Sequence, residues 1–147
     1  MSILTISIDP GASGSIAWQD TDGRVYADPM PPNMTEIYDY LKNLIVHVDP
    51  RAIVEAVGAY MTGNSGPAAA KFARHCGHID AILYALKIPS ETVSPQKWQK
   101  PMNLPKDKQE RKNAIKEAMQ RRFPDLKVTL KTADALAILC WYLNQHG

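Results

Sequence analysis

Three carboxylates stand where a folded chain could put them to chemical use. Asp9 closes an alternating apolar run, Ile3–Asp9, and is followed at once by the turn sequence Pro10-Gly11-Ala12-Ser13-Gly14. Glu55 closes a second apolar run, Arg51–Glu55, just before a glycine-rich stretch, residues 56–66. Asp134 interrupts the otherwise apolar Thr132-Ala133-Asp134-Ala135-Leu136. If the two runs are neighbouring strands, Asp9 and Glu55 lie side by side at one edge of a sheet. A helix packed there through alanines could bring Asp134 within reach. Carboxylates gathered in an apolar setting repel one another and invite a divalent cation. Hard oxygen ligands suit Mg²⁺ or Mn²⁺, ions that activate water and stabilise a leaving oxygen in phosphodiester hydrolysis. Each acid also has an ordinary reading. Asp before Pro-Gly is a turn former, an acid after a buried strand can simply emerge into solvent, and an Asp among alanines can face water. Spacing alone does not choose between these.

Periodicity and punctuation define the elements that must position these residues. Ile3–Asp9 alternates with period two and predicts a strand. Ser15–Gln19 reads as its hairpin partner, and Arg24–Asp28 as a short third strand after the turn Asp20-Thr21-Asp22-Gly23. Beyond Pro31 and Pro32, Thr35 is the expected N-cap of a helix with apolar positions Ile37, Tyr40, Leu41, Leu44 and Ile45. Arg51–Glu55 is a fourth strand, and residues 56–66 are too rich in breakers for regular structure. Pro67–Lys87 predicts a long helix buried along Ala70, Phe72, Ala73, Cys76, Ile79, Leu83 and Leu86. Glu91–Ser94 predicts a fifth strand, and residues 95–105 read as irregular. A basic helix follows from about Asp107 to Phe123, stopped by Pro124, and then an apolar helix from about Thr129 to Leu143. This order implies an α/β fold: a mixed five-stranded sheet with helices on both faces.

With 147 residues, 45% hydrophobic and 22% charged, the composition is that of an ordinary globule and not of a disordered chain. A chain near this size buries roughly 68–70% of its unfolded surface, so one domain over residues 1–147 is expected and a two-lobed ATPase is excluded. No apolar run reaches the ~18 residues a membrane helix needs. The first residues lack a basic region and cleavage site, so a cytoplasmic location away from membranes is expected. Cys76 and Cys140 have no metal-ligand spacing and are expected to be free thiols. His75 and His78 lack a third ligand nearby in sequence and are expected at the surface or core edge, while Trp98, Trp141 and Phe123 read as packing residues. The net charge of +2 conceals an asymmetry: residues 1–96 carry a net −4 and residues 97–122 a net +6. Over half of all Lys and Arg thus lie in one short segment, the pattern of an electrostatic contact surface on a mildly acidic body.

Ser7-Ile8-Asp9-Pro10-Gly11-Ala12-Ser13-Gly14-Ser15-Ile16-Ala17 resembles the first motif of RuvC-like Holliday-junction resolvases, in the RNase H-like superfamily. Ile53-Val54-Glu55-Ala56-Val57 resembles the second motif, and Ala133-Asp134-Ala135-Leu136-Ala137-Ile138 the last. Val93-Ser94-Pro95-Gln96-Lys97-Trp98, followed by the Lys/Arg-rich helix, is similar to phage-type members. The resemblance spans nearly the whole chain in the correct order. It implies an RNase H-like fold in which Asp9, Glu55 and Asp134 hold two Mg²⁺ or Mn²⁺ ions. The implied reaction is hydrolysis of a DNA phosphodiester to 5′-phosphate and 3′-hydroxyl ends, by a homodimer that nicks opposing strands of a four-way junction symmetrically.

One residue departs from the resembled pattern. Family members usually carry an acid, or sometimes His, three positions before the last Asp, where this chain has Lys131. Residues i and i+3 share a helix face, so Lys131 is expected beside Asp134. It then serves as a salt-bridge partner, as a cation on the scissile phosphate, or as an inactivating substitution. The grip on DNA is expected from Lys97, Lys100, Lys106, Lys108, Arg111, Lys112, Lys116, Arg121 and Arg122, of which about half can face one side. In the resembling resolvases the region after Glu55 inserts apolar or aromatic groups near the crossover. Tyr60 and Met61 are the candidates here, ordinary turn packing being the alternative. Two other readings stay open: a YqgF-like RNA-processing nuclease, and a catalytically impaired junction-binding protein for which Lys131 is the sequence support.

Overall fold

The computed structural model describes residues 2–57 and 66–146. An antiparallel meander, β1 (Ile3–Asp9), β2 (Ser15–Gln19) and β3 (Val25–Pro29), precedes α1 (Met34–Leu44), β4 (Asp49–Glu55), α2 (Gly66–Ala85) and β5 (Ser90–Val93). The chain continues through α3 (Pro95–Gln99), a 3₁₀ turn (Lys100–Met102), α4 (Lys108–Arg122) and α5 (Leu130–His146). The five strands make one sheet in the order β3-β2-β1-β4-β5. β1 and β3 run antiparallel to β2, whereas β4 runs parallel to both β1 and β5. The α/β architecture expected from the sequence is the one the chain adopts.

β1 lies at the centre of this order, and its alternation serves two cores. Leu4, Ile6 and Ile8 join Ile16, Val54, Ile37, Leu41, Ile79 and Leu83 beneath α1 and α2. On the opposite face Ala17, Ile53 and Val93 join Trp98, Ile115, Met119 and the buried side of α5. Ser7 belongs to that second face and is fully buried. Its hydroxyl donates to the Ala135 carbonyl of α5 at 2.6 Å. The small side chains Ala133, Ala135 and Ala137 leave room for this close approach of helix to sheet.

Several expectations are corrected by the structure. The N-cap of α1 is Asn33, not Thr35: Asn33 Oδ1 accepts from the Glu36 amide while its Nδ2 donates to the Glu36 carboxylate. Residues 95–102 are not irregular but helical, because Ser94 caps α3 and Pro95 suits its first turn. In α2, Ile79, Ile82 and Leu83 are buried, but Ala70 and Ala73 are exposed and Phe72 and Cys76 only half-buried. The cause is length. At about 1.5 Å per residue this helix spans about 30 Å, more than its neighbouring strands cover, so its first half overhangs the sheet. The cysteines are free, Cys140 buried and Cys76 half-buried. His75 is half-buried at the core edge, its Nε2 without a hydrogen-bond partner among the described residues. Among the described residues no helix is long and apolar enough to cross a membrane.

Candidate active site

Parallel pairing of β1 with β4 runs from Ile3↔Asp49 to Ile8↔Val54. The next residue on each strand is an acid, so Asp9 and Glu55 leave the same edge of the sheet together. The backbone beyond Asp9 turns sharply. Gly11 has φ 117°, in the region that favours glycine. A Cβ on Gly14 would stand 1.9 Å from the Asp9 carbonyl oxygen, so only glycine lets the turn fold back against the strand end. Phe72 of α2 packs over this turn, 3.5 Å from where a Gly11 Cβ would be. The third acid arrives from α5: the Ser7–Ala135 bond clamps that helix to β1 one residue away from Asp134.

The electrostatics of the three acids are those of one site. Burial pushes Asp9 up to about 9 from an ordinary 3.8, helped by the negative charges of Glu55 and Asp134 and by its hydrogen bond to Glu55. Asp9 therefore keeps its proton at neutral pH and donates it to Glu55. Glu55 is raised by burial and by Asp134, against the lowering effect of the hydrogen bonds it accepts from Trp98 and Asp9. Asp134 is raised by burial, while Lys112 and Arg111 of α4 pull it down. Among the described residues no group of three or more His, Cys, Asp or Glu is yet gathered closely enough to hold a metal ion. The trio is nonetheless suited to one: a divalent cation in place of the Asp9 proton would offset the burial that raises all three and the repulsion that adds to it at Asp9 and Glu55.

The acids lie in a cleft of about 600 Å³ whose lining also includes Lys108, Arg111, Lys112 and Lys131. Lys131 is exposed there, and no salt bridge joins it to Asp134. The other cations of the basic segment lie outside the cleft lining. Lys97 lies over the Trp141 ring and Arg122 over the Phe123 ring, while Lys100, Lys106, Lys116 and Arg121 are exposed. Tyr60 and Met61 lie outside the described residues.

One residue of the site escaped the sequence. Trp98 is 1% exposed and packs in the α5-side core, as expected, but its indole Nε1–H donates to Glu55 Oε2 at 2.6 Å. A five-residue helix carries too little periodicity to reveal which way its one large side chain faces.

No family model matches the chain, and no curated protein matches it. Among solved structures it is similar to Thermus thermophilus RuvC in complex with Holliday junction substrate, with a TM-score of 0.63 and 13% identity over 97% of this chain and 96% of that one. A second structure of Thermus thermophilus RuvC matches with a TM-score of 0.59 and 12% identity over 97% and 96%. The chain has the RNase H-like fold of RuvC.

Proposed function

We propose that this protein is a metal-dependent, structure-selective DNA endonuclease that resolves Holliday junctions or related branched DNA by symmetric nicking, as a phage-type RuvC-like resolvase. The observation that carries this reading is the cleft itself. Asp9, Glu55 and Asp134 line it together, close enough for Asp9 to feel the charge of the other two, and Lys108, Arg111, Lys112 and Lys131 line it beside them. An acidic cluster alone repels a phosphodiester; cations beside it hold the backbone in place while the acids supply ligands for a metal. The shared fold, including that of a RuvC bound to a junction, supports the same reading.

Asp9, Glu55 and Asp134 would hold Mg²⁺ or Mn²⁺, two ions in the scheme the resemblance implies. When bound, such ions generate a nucleophile from water and neutralise charge on the leaving oxygen. The chain's own part is to give up the proton shared by Asp9 and Glu55, to grip phosphates with Lys108, Arg111 and Lys112, and to set Lys131 on the scissile phosphate. A homodimer suits paired nicks. The outer face of α2 supports one, exposing Ala70, Ala73, Gly77, Ala81 and an 87% exposed Tyr84 along a single stripe.

The test offers the protein a synthetic four-way junction, a linear duplex and a structured RNA, with Mg²⁺, Mn²⁺ or EDTA. Symmetric, metal-dependent nicks in the junction alone are the expected result. Junction binding without cleavage would favour the impaired binding protein, and RNA cleavage the YqgF-like nuclease. In the same system, changing Lys108, Arg111 and Lys112 to Gln should make the log–log salt dependence of junction affinity shallower by about 2–3. An unchanged slope would remove these residues from the DNA surface.

A further inference from the structure

A buried indole N–H needs a partner, and a nearby backbone carbonyl would satisfy it. Trp98 spends its donor instead on the carboxylate at the end of β4, a residue 8% exposed and distant in sequence. At 2.6 Å the bond has the shortness of a charge-assisted contact. The donor's place is set from two sides. Ser94 Oγ accepts from the Lys97 amide and fixes the start of α3, and the ring is packed among Val93, Ile115, Met119 and α5. An indole N–H donates and never accepts, so it can hold a carboxylate oxygen without competing for a cation.

We propose that Trp98 is a positioning residue for Glu55: by holding Oε2, it fixes the carboxyl plane and presents Oε1 to the cation shared with Asp9 and Asp134. Without that bond the Glu55 carboxyl loses the fixed one of its two hydrogen-bond partners, and its orientation must be set at the moment of binding. The inference rests on the proposed role of the three acids as metal ligands. It adds that the grip of the site on its cation depends on a core tryptophan that touches neither metal nor DNA.

The test replaces Trp98 with benzothienylalanine, which keeps the shape of the ring but has sulfur in place of the N–H, and compares it with Trp98→Phe. Mn²⁺ binding is measured by calorimetry on the DNA-free protein, alongside thermal melts. The isostere is expected to melt with the wild type yet bind Mn²⁺ about 10–100-fold more weakly. Trp98→Phe is expected to show the same loss of affinity together with a lower melting temperature. In spectra of the wild type, Mg²⁺ should shift the one indole N–H signal, of three, that the isostere lacks. An isostere that binds Mn²⁺ as tightly as the wild type overturns the role of Trp98 and leaves the metal site standing. A wild type that binds no Mn²⁺ overturns both.

Discussion

Asp9→Asn is expected to abolish cleavage and, at the same time, to stabilise the metal-free protein at pH 8. Loss of activity follows from removing one of three acids that together create the charge a cation would neutralise. A drop of roughly 10²–10³-fold is the scale on which losing one preorganised electrostatic group acts. The gain in stability follows from the Asp9 proton. Between its ordinary value of 3.8 and its folded value of about 9, the folded chain holds a proton that the unfolded chain has released. Stability from this group is therefore complete below about pH 4 and is lost as pH rises through about 9. Glu55 and Asp134 are shifted in the same direction, so the metal-free wild type should melt at progressively lower temperature from pH 5 to pH 9. Asparagine cannot ionise, and the variant should keep only the weaker slope due to the other two acids. With each kcal/mol worth about 4 °C in a domain of this size, the difference is readily measured in EDTA melts. Saturating Mg²⁺ should raise the wild-type midpoint at pH 8 and leave that of Asp9→Asn nearly unmoved. Cleavage by Asp9→Asn within roughly tenfold of wild type would remove Asp9 from the reaction.

Asp9 and Glu55 were legible in the sequence because both end buried strands just before glycine-rich turns, and such ends are where a sheet delivers side chains to solvent. Their adjacency was not, because parallel pairing is set by the whole sheet and leaves no local mark; the β1–β4 register supplies it. Asp134 stood out as an acid in an apolar helix, the resemblance joined it to the other two, and the physical reason for its place emerges in the Ser7–Ala135 clamp. Periodicity failed in two informative places. In α2 it grouped Ala70 and Ala73 on the buried stripe, since a repeat says which residues share a face and not whether a sheet lies beneath them. In residues 95–102 it was silent, and the hydrogen bond from Trp98 to Glu55 went unread. Helical spacing likewise paired Lys131 with Asp134, whereas the cations that act on Asp134 come from α4, through Lys112 and Arg111.

That last displacement gives Lys131 its expected effect: Lys131→Ala should lower the rate of junction cleavage about 100-fold while changing junction affinity little. The argument is one of unspent charge. Lys131 lines the cleft with the three acids, is exposed, and forms no salt bridge with Asp134 or any other acid among the described residues. An ammonium cannot ligate a metal, but it can neutralise a phosphate oxygen as charge builds there. Three carboxylates also balance fewer cationic charges than two divalent ions and a lysine bring together. The scissile phosphate supplies a further negative charge toward that balance, which ties the lysine to the bound substrate and not to the resting site. Lys131→Arg keeps the charge and should retain most of the activity. Lys131→Asp adds a fourth carboxylate, so it should bind Mn²⁺ more tightly but cleave more slowly than wild type, because the phosphate then meets repulsion where it had a partner. These rates separate the readings cleanly under single-turnover conditions with the junction bound. If Lys131→Asp cleaves faster than wild type, the lysine is not a catalytic cation but the substitution that disables the site.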